Sequence, residues 1–397
     1  MSVNVMLAGV GFFPHTVAGD KNFWIRLSPL LKARGANLTA LSVNDRTGVT
    51  EMPAGFKLHN LRRSFHLGNP DRFYSSPTGP ADYKHKHHRA IDSLELLLTA
   101  ARNLRAIRSI VRSDKIHVIH FMDNMGPAMR FLRSRLPGVR FTNSQVRFGS
   151  GRGYGSYIRA SMLGLDRTVA YTEASRDLLV KVGIPADQIE VIRWGVRPAD
   201  EPPDAEAVRS TRGKLGVTEG ESLILWSGFI MHIQAPEFRA AAGAAHRIAA
   251  ARPDCRFLFA LKPLCYRPEF KSLEAERVSV VGDLNDFQAA LAAADFFFSP
   301  AVDPNVNVSP PLTWLEAMNY GVPVIATQGS GVDEVIEDGR SGYVASSIET
   351  VDQAVNAALD APDRDAVRRS CREVVRNRFD INASAEQYVR LWASLRG

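Results

Sequence analysis

Short apolar runs alternate with longer amphipathic segments along most of this chain, and no other feature limits its fold as strongly. Each run has the length of one buried strand, and each following segment has the apolar spacing of a helix packed on a sheet. Such units build a parallel sheet covered by helices. In the N-terminal half the predicted strands are 3–8, 38–43, 117–121, 139–143 and 169–171, and the predicted helices are 22–34, 94–112 and 173–182. Residues 53–83 are predicted to be irregular or to form a hairpin.

A second series of the same kind follows a proline-rich, acidic stretch that begins at Pro198 and predicts a hinge at 198–212. Its predicted strands are 223–226, 256–260, 278–281, 296–299 and 323–326, and its predicted helices are 236–251, 287–293 and 312–319. We therefore expect two doubly wound α/β domains, 1–197 and 213–375, with a final helix at 376–397 returning to the first domain. Two such halves usually form a cleft in which ligands bind beside the carboxyl ends of the strands.

Composition excludes several classes of protein. The 397 residues are 45% hydrophobic and 23% charged, which argues against disorder, collagen and coiled coils. The net charge of +7 favours anionic partners: phosphorylated substrates, acidic lipid headgroups or nucleic acid. Three cysteines without paired spacing indicate a reducing compartment. The N-terminus reads as a strand rather than a leader, and no apolar run approaches the ~20 residues that cross a bilayer, so we expect a cytoplasmic protein.

The most informative stretch is residues 309–344, in which a helix is followed by the strand VPVIAT and a loop of small residues. Ser309 is predicted to cap the helix, and a second helix is predicted to open near Asp333. Glu316 lies off the apolar stripe, about one turn into the helix, where a carboxylate can accept hydrogen bonds from ligand hydroxyls. A helix N-terminus of this kind often binds an anion. The alternative is a well-capped helix with a solvated glutamate.

Several segments resemble a known family. The run PLTWLEAMNYGVPVIAT, followed by GSGVDEVIEDGRSGYV, resembles the nucleotide-sugar site of retaining glycosyltransferases of the GT-B fold, particularly family four, the glycosyl transferases group 1. Further segments recur in the family's order: FFPHTVAGDKNFWIRLSPLLKARG, HVIHFMD, AYTEASRDLLVKVGIPADQIEVIRWGV, LILWSGFI and VGDLNDFQAALAAADFFFSP. The resemblance spans nearly the whole chain and implies two Rossmann-like domains facing a central cleft, with the acceptor bound by the first and the nucleotide sugar by the second.

The resemblance assigns roles to individual residues. Glu316 corresponds to the closing glutamate of the family's E-x7-E pair, which binds the ribose hydroxyls, and His120 corresponds to a histidine that ends a strand. Both are expected to be catalytic. Donor binding is further assigned to Gly19, Gly228, Leu312, Thr313, Asp283 and Leu284. The acceptor side is assigned to His15, Asn143 and Ser144. No metal or cofactor is implied, and the D-x-D spacing at 363–365 is read as helix capping.

The chain departs from the family at the donor site. The opening glutamate of the pair is replaced by Val308, and the two cations that neutralise the donor diphosphate are replaced by Phe229 and Gln234. An uncompensated buried dianion costs several kcal/mol. Pro310 and Pro311 have no N–H to offer a phosphate. Candidate substitutes for the cations are Lys21, Arg193, Lys262 and Arg267, and candidate groups for the sugar are Asp303 and Asn307.

Arginines follow one face of the predicted helix 94–112. They are Arg102, Arg105, Arg108 and Arg112. Such a helix either lies on anionic lipid or is a solvated helix over a sheet. Nucleic acid is an unlikely partner, because the chain contains no recognised reading module.

These observations predict a metal-independent, retaining glycosyltransferase. Its donor is a nucleotide-diphosphate sugar, and its acceptor a glycan, a lipid-linked saccharide or a small metabolite. It would act in the cytoplasm or at the inner membrane face. The alternative is a non-catalytic nucleotide- or glycan-binding protein on the same scaffold.

Overall fold

The computed structural model describes residues 2–10, 19–44, 48–51, 55–62, 85–122, 125–145, 154–228, 235–261, 268–282, 284, 286–303, 309–329 and 331–396. The chain divides into two compact units. Unit 1 comprises 1–72, 81–195 and 381–397, and unit 2 comprises 73–80 and 196–380. Each unit is an α/β layer structure built on its own sheet.

Unit 1 contains an eight-stranded sheet in the order β3-β4-β2-β1-β5-β6-β7-β8. The strands are β1 (Val3–Val10), β2 (Ala36–Asn44), β3 (Gly48–Glu51), β4 (Lys57–Arg62), β5 (Val118–Phe121), β6 (Arg140–Ser144), β7 (Arg167–Ala170) and β8 (Ile189–Val191). All neighbouring strands are parallel except β3, which pairs antiparallel to β4. Of residues 53–83, which were predicted to be irregular or to form a hairpin, 57–62 form β4; its partner β3 precedes this range, and residues 63–83 lie outside the described residues.

The helices of unit 1 are α1 (Gly19–Ala33), α2 (His85–Ser113), α3 (Pro127–Arg135), α4 (Tyr154–Met162), α5 (Glu173–Lys181) and the C-terminal helix, which is numbered α12 below (Ile381–Ser394). Side chains of α2, α3 and α4 share one hydrophobic cluster with the central strands. Helix α2, which was predicted at 94–112, begins nine residues earlier, at His85. Helices α3 and α4 were not predicted.

Unit 2 contains a parallel six-stranded sheet in the order β11-β10-β9-β12-β13-β14. The strands are β9 (Ser222–Gly228), β10 (Cys255–Leu261), β11 (Val278–Val281), β12 (Phe296–Ser299), β13 (Val324–Thr327) and β14 (Gly342–Ala345). The helices are α6 (Ala205–Lys214), α7 (Ala235–Ala251), α8 (Phe287–Ala293), α9 (Leu312–Asn319), α10 (Val351–Leu359) and α11 (Arg364–Arg378). The ranges predicted for β11, α8, β12 and α9 are confirmed.

Two local predictions in unit 2 are wrong. Residues 331–335 form turns rather than a helix near Asp333, because the Val335 and Ile336 amides both donate to the Val332 carbonyl and no later amide extends the pattern. Ser309 is not the N-cap of α9; Pro311 holds that position and makes no side-chain capping bond. The prediction that Asp363 caps a helix is confirmed, since its carboxylate accepts the Ala366 amide of α11.

The predicted hinge at 198–212 overlaps α6, which belongs to unit 2 and is capped at its N-terminus by Asp204. The chain passes from unit 1 to unit 2 at Val196 and returns after Asp380, and these two residues form a parallel bridge. In the described part of the chain, no helix combines the length and the apolar character that spanning a membrane requires.

Candidate functional site

The strand order of unit 2 creates a topological switch point. From β9 the chain proceeds through β10 to β11 on one side, and then returns to β12 on the other side of β9. Crossovers diverge at such a point, and ligands of open α/β sheets bind there, beyond the carboxyl ends of the strands. We call this region, beyond the carboxyl ends of β9 and β12, the crevice. Gly228 ends β9, and a Cβ at this position would lie 2.6 Å from the Trp226 ring. Glycine is therefore required by packing as well as permitting close approach of a ligand.

Helix α9 follows β12 in the chain and begins on the same side of the sheet. Its apolar side is fully packed, since Trp314, Leu315 and Met318 are at most 1% exposed. Leu312 and Thr313 occupy its first two positions, where backbone amides have no partner within the helix. Neither amide donates to another group in the described part of the chain. The N-terminus of α9 therefore offers two N–H donors to a ligand despite its two prolines.

Glu316 lies one turn into α9, off the packed side, and is half-buried. This position matches the sequence prediction that Glu316 lies off the apolar stripe, about one turn into the helix. Glu316 interacts with other groups of the chain. An ionised carboxylate at this position can accept two hydroxyl hydrogen bonds.

Asn319 lies three residues after Glu316, at the end of α9, and has a structural role. Its Oδ1 accepts the Ala199 amide at 2.8 Å, and its Nδ2 donates to the Arg197 carbonyl at 3.0 Å. The side chain thus ties the C-terminal end of α9 to the segment with which the chain enters unit 2. This pair of bonds fixes the orientation of the helix that carries Glu316.

The loops beside α9 are also fixed by specific bonds. Thr327, which ends β13, donates its hydroxyl to the Ala301 carbonyl and accepts the Ala301 amide, both at 2.9 Å. These bonds hold the exit of β12 against β13. In the loop after β13, Gly331 has a φ of 86°, a left-handed conformation that favours glycine.

Sequence reasoning missed Glu237, a residue in the first turn of α7. Its carboxylate accepts a hydrogen bond from the Asp303 backbone, which brings the start of α7 to the exit of β12. Burial raises the pKa of Glu237, and the nearby Asp303 carboxylate raises it further. The described part of the crevice therefore contains the carboxylates of Glu237 and Asp303. Glu237 could not have been found from the sequence, because no local pattern encodes its burial or its contact with Asp303.

Several predicted site residues lie outside the described residues, including two of those assigned to ligand binding. They are His15, Phe229, Gln234, Lys262, Arg267, Asp283, Asn307 and Val308. Of the other assigned residues, Leu284 is half-buried in unit 2, whereas Gly19 begins α1 in unit 1. Lys21 and Arg193, two candidate cations, also belong to unit 1. Within the described residues, no cluster of His, Cys, Asp and Glu has the arrangement of a metal site.

His120 lies near the carboxyl end of β5 and is fully buried. Its Nδ1 is 2.8 Å from Thr142 Oγ1, and its Nε2 is 2.9 Å from Ser144 Oγ. Ser144 Oγ is in turn 3.0 Å from the Tyr388 hydroxyl of α12. The Trp24 ring packs 4.8 Å from the imidazole. Both ring nitrogens are thus bonded inside the core of unit 1, and the network links the sheet to the C-terminal helix.

Burial lowers the pKa of His120 to about 3, so the imidazole is neutral in the folded protein. An unfolded histidine protonates near pH 6.5. Between about pH 3 and 6.5 the unfolded state therefore binds a proton that the folded state does not, and stability falls as the pH falls. We expect the free energy of unfolding to decrease by up to about 1.4 kcal/mol per pH unit in this window from His120 alone. The free energy of unfolding, measured by urea titration at several pH values, should depend less steeply on pH in a His120→Gln variant. An equally steep dependence on pH in the variant and the unchanged protein would contradict this assignment.

Asn143 and Ser144 do not share one face of the sheet. They are consecutive in β6, so their side chains point to opposite faces. Ser144 faces His120, whereas Asn143 is fully buried and neither of its amide atoms has a hydrogen-bond partner among the described residues. An unpaired buried amide costs roughly 1–3 kcal/mol. The acceptor-side roles of both residues stay predictions.

Comparison with known proteins agrees with this architecture. The family described as Glycosyltransferase Family 4 matches residues 23–200, and Glycosyl transferases group 1 matches residues 222–361. The first match lies in the region of unit 1 and the second lies in unit 2. Together with a switch-point crevice and a glutamate on α9, the two matches define the class of protein: a glycosyltransferase scaffold of the GT-B fold. The chain belongs to the family-four-like glycosyltransferases of this fold.

Two individual relatives match about half of this chain. The chain is 26% identical over 252 residues to alpha-maltose-1-phosphate synthase of Mycolicibacterium smegmatis, with 54% of this chain and 60% of the relative covered. It is 28% identical over 230 residues to D-inositol 3-phosphate glycosyltransferase of Nocardia farcinica, with 51% and 47% covered. The chain thus aligns with about half the length of these relatives.

Solved structures share the fold over nearly the whole chain. Sucrose-phosphate synthase from Thermosynechococcus elongatus has a TM-score of 0.75 at 17% identity, with 99% of both chains covered. The Anabaena HepE protein in complex with UDP and glucose has a TM-score of 0.73 at 13% identity, with 99% of this chain and 100% of that one covered.

Proposed function

We propose that this protein is a retaining glycosyltransferase that moves a sugar from a nucleotide-diphosphate donor to a glycan, a lipid-linked saccharide or a small metabolite. The observation that carries the proposal is the half-buried Glu316 side chain on α9, near two helix amides that have no partner among the described residues, at the switch point of unit 2. The carboxylate would accept the ribose hydroxyls of the nucleotide. The amides would bind the diphosphate.

Bond cleavage between the sugar and the diphosphate leaves negative charge on the phosphate oxygens and positive charge on the sugar ring. Catalysis then depends mainly on stabilising the leaving diphosphate. The Leu312 and Thr313 amides, together with the positive end of the α9 dipole, would supply part of this stabilisation. Lys262 and Arg267, which follow β10, are candidates for the remaining positive charge. We propose that no metal ion or other cofactor takes part.

The relatives support a nucleotide-sugar donor. Several structural neighbours were solved with UDP, with UDP-glucose or with a fluorinated UDP-glucose. Glu316, Gly228 and the glycines of the loop after β13 are retained here although the two family cations are not. A site that had lost its ligand would be expected to lose the glutamate as readily as the cations.

A donor screen tests the proposal. The full chain is mixed with UDP, GDP, ADP and TDP sugars, and both thermal stabilisation and release of free nucleotide are measured. We expect sugars of one nucleotide class to raise the melting temperature of the protein. The bond between that sugar and its nucleotide should then be hydrolysed slowly, because water can replace the acceptor. Neither stabilisation nor hydrolysis with any donor would refute the enzymatic proposal.

A second candidate function is a binding protein without transferase activity. The carboxylates of Glu237 and Asp303 at the crevice favour it, since their negative charge would oppose the additional negative charge that develops on a leaving diphosphate during transfer. The same screen separates the two candidates, because a binding protein would be stabilised by the nucleotide without releasing it from the sugar.

We further propose that the protein acts in the cytoplasm or at the inner face of the membrane.

A further inference from the structure

Three neighbouring helices of unit 1 present arginines to solvent. Arg108 of α2 donates to the Arg135 carbonyl of α3 at 3.2 Å, and Arg130 of α3 donates to the Ala160 carbonyl near the end of α4 at 3.5 Å. The three helices therefore lie side by side over one face of the sheet. Their exposed arginines form a surface that we call the arginine face: Arg102, Arg105, Arg108, Arg112, Arg130, Arg135 and Arg159.

Among the described residues, no carboxylate forms an ion pair with a member of the arginine face. Asp114, which follows α2, instead accepts hydrogen bonds from the Thr39 and Ser113 hydroxyls. Helices α3 and α4 contain no Asp or Glu, and α2 contains none from residue 96 to its end. Glu95, the acidic residue just before this stretch, is 6% exposed. Among the described residues, ion pairs on this side of unit 1 join Asp166 to Arg133 and Arg140, which are not members of the face. The surface therefore carries a concentrated positive charge.

An exposed leucine lies on the same side of α2 as the arginines of the arginine face. Leu94 is 49% exposed, and it precedes Arg112 by 18 residues. Because 18 residues make five full turns, the two side chains have the same angular position on the helix. Arginine binds phosphate groups through its planar guanidinium, whereas an exposed leucine gains nothing from water or from phosphate. A surface that combines the two suits the boundary between lipid headgroups and acyl chains.

We infer that the arginine face docks on an anionic lipid bilayer, with Leu94 entering the acyl region. This inference goes beyond the proposed sugar transfer and does not depend on it. Nucleic acid would also attract arginines, but it would leave Leu94 in water. A lipid surface accounts for both kinds of side chain.

The test uses the full chain and vesicles of phosphatidylcholine with or without phosphatidylglycerol, separated by sedimentation. We expect binding only when phosphatidylglycerol is present, and weaker binding at higher salt. Each cation near an anionic membrane contributes roughly a factor of 5 in affinity, so the triple variant R102E/R105E/R112E should lose at least about 100-fold. The control variant R209E/K214E/R369E has the same change in net charge at exposed positions of unit 2 and should bind as the unchanged protein does.

Leu94→Gln distinguishes a bilayer from phosphate alone. It should weaken vesicle binding roughly fivefold, because the apolar half of the contact is lost. The inference is overturned by equal binding of the triple variant and the unchanged protein, by an unchanged affinity of Leu94→Gln, by displacement with millimolar inorganic phosphate, or by tighter binding to duplex DNA than to vesicles. Because no sugar donor is present, failure here leaves the proposed transfer untouched.

Discussion

Replacing Glu316 with glutamine is expected to weaken the binding of the preferred nucleotide diphosphate by at least 100-fold. Two hydrogen bonds from ribose hydroxyls to a charged acceptor contribute roughly 1.5–3 kcal/mol each. The amide retains the size of the side chain but removes the charge and one of the two acceptor oxygens. Isothermal titration calorimetry with the nucleotide found in the donor screen measures the loss.

The variant should remain folded, because the residues that anchor α9 in the core are its neighbours. Leu315 and Ala317 on either side of Glu316 are at most 1% exposed. Glu373→Gln, an exposed change on α11, serves as the matched control and should bind nucleotide normally. If the affinity of Glu316→Gln equals that of the control, the role assigned to Glu316 is incorrect.

Most inner strands of the two sheets were predictable because local pattern and tertiary environment agree there, whereas the edge strands β3, β8 and β14 were not predicted. Phe296, Phe297 and Phe298 of β12 form a continuous apolar run, and the sheet buries all three. Helix α2 shows where this agreement ends. Its first nine residues, including His85, are too polar to show helical periodicity, so the apolar pattern marked only the later part that packs on the sheet.

Predictions from local sequence failed at segments whose residues are compatible with more than one backbone conformation. Ser309 is a favourable N-cap residue, yet α9 starts three residues later, where the fixed φ of Pro310 and Pro311 leads into the helix. Near Asp333 the sequence is compatible with a helix, but the chain makes only turns before it enters the loop to β14. Propensity is a weak prior that such tertiary demands override.

The site was predictable in part. The position of Glu316 followed from the spacing of apolar residues on α9 and from the family resemblance. The contact between Asn319 and Ala199, which helps to hold α9, did not follow, because the two residues are 120 positions apart in sequence. The same is true in unit 1 of the contact between Ser144 and Tyr388, which are 244 positions apart. Only the fold brings such pairs together.

The largest effect on stability is expected at Asp295, the residue just before β12. Its carboxylate accepts hydrogen bonds from the Arg212 and Arg368 guanidinium groups at 2.7 and 2.8 Å, and from the Leu223 amide at 2.8 Å. Arg212 belongs to α6, and Arg368 belongs to α11. One half-buried carboxylate thus joins two helices to β9, and Arg212, the last residue of the predicted hinge at 198–212, is bound to the residue that precedes β12.

Asp295→Ala should destabilise unit 2 by roughly 3–5 kcal/mol, because it leaves two half-buried cations and one strand amide without their acceptor. Hydrogen exchange measured by mass spectrometry should show faster exchange in β9 and α6, whereas the strands of unit 1 provide an internal reference.

Asp352→Ala is the matched control. Its pair with Arg247 is exposed on both sides, with side-chain exposures of 37% and 53%, so its loss should cost less than about 1 kcal/mol. Equal exchange in the two variants would show that Asp295 does not hold these elements together.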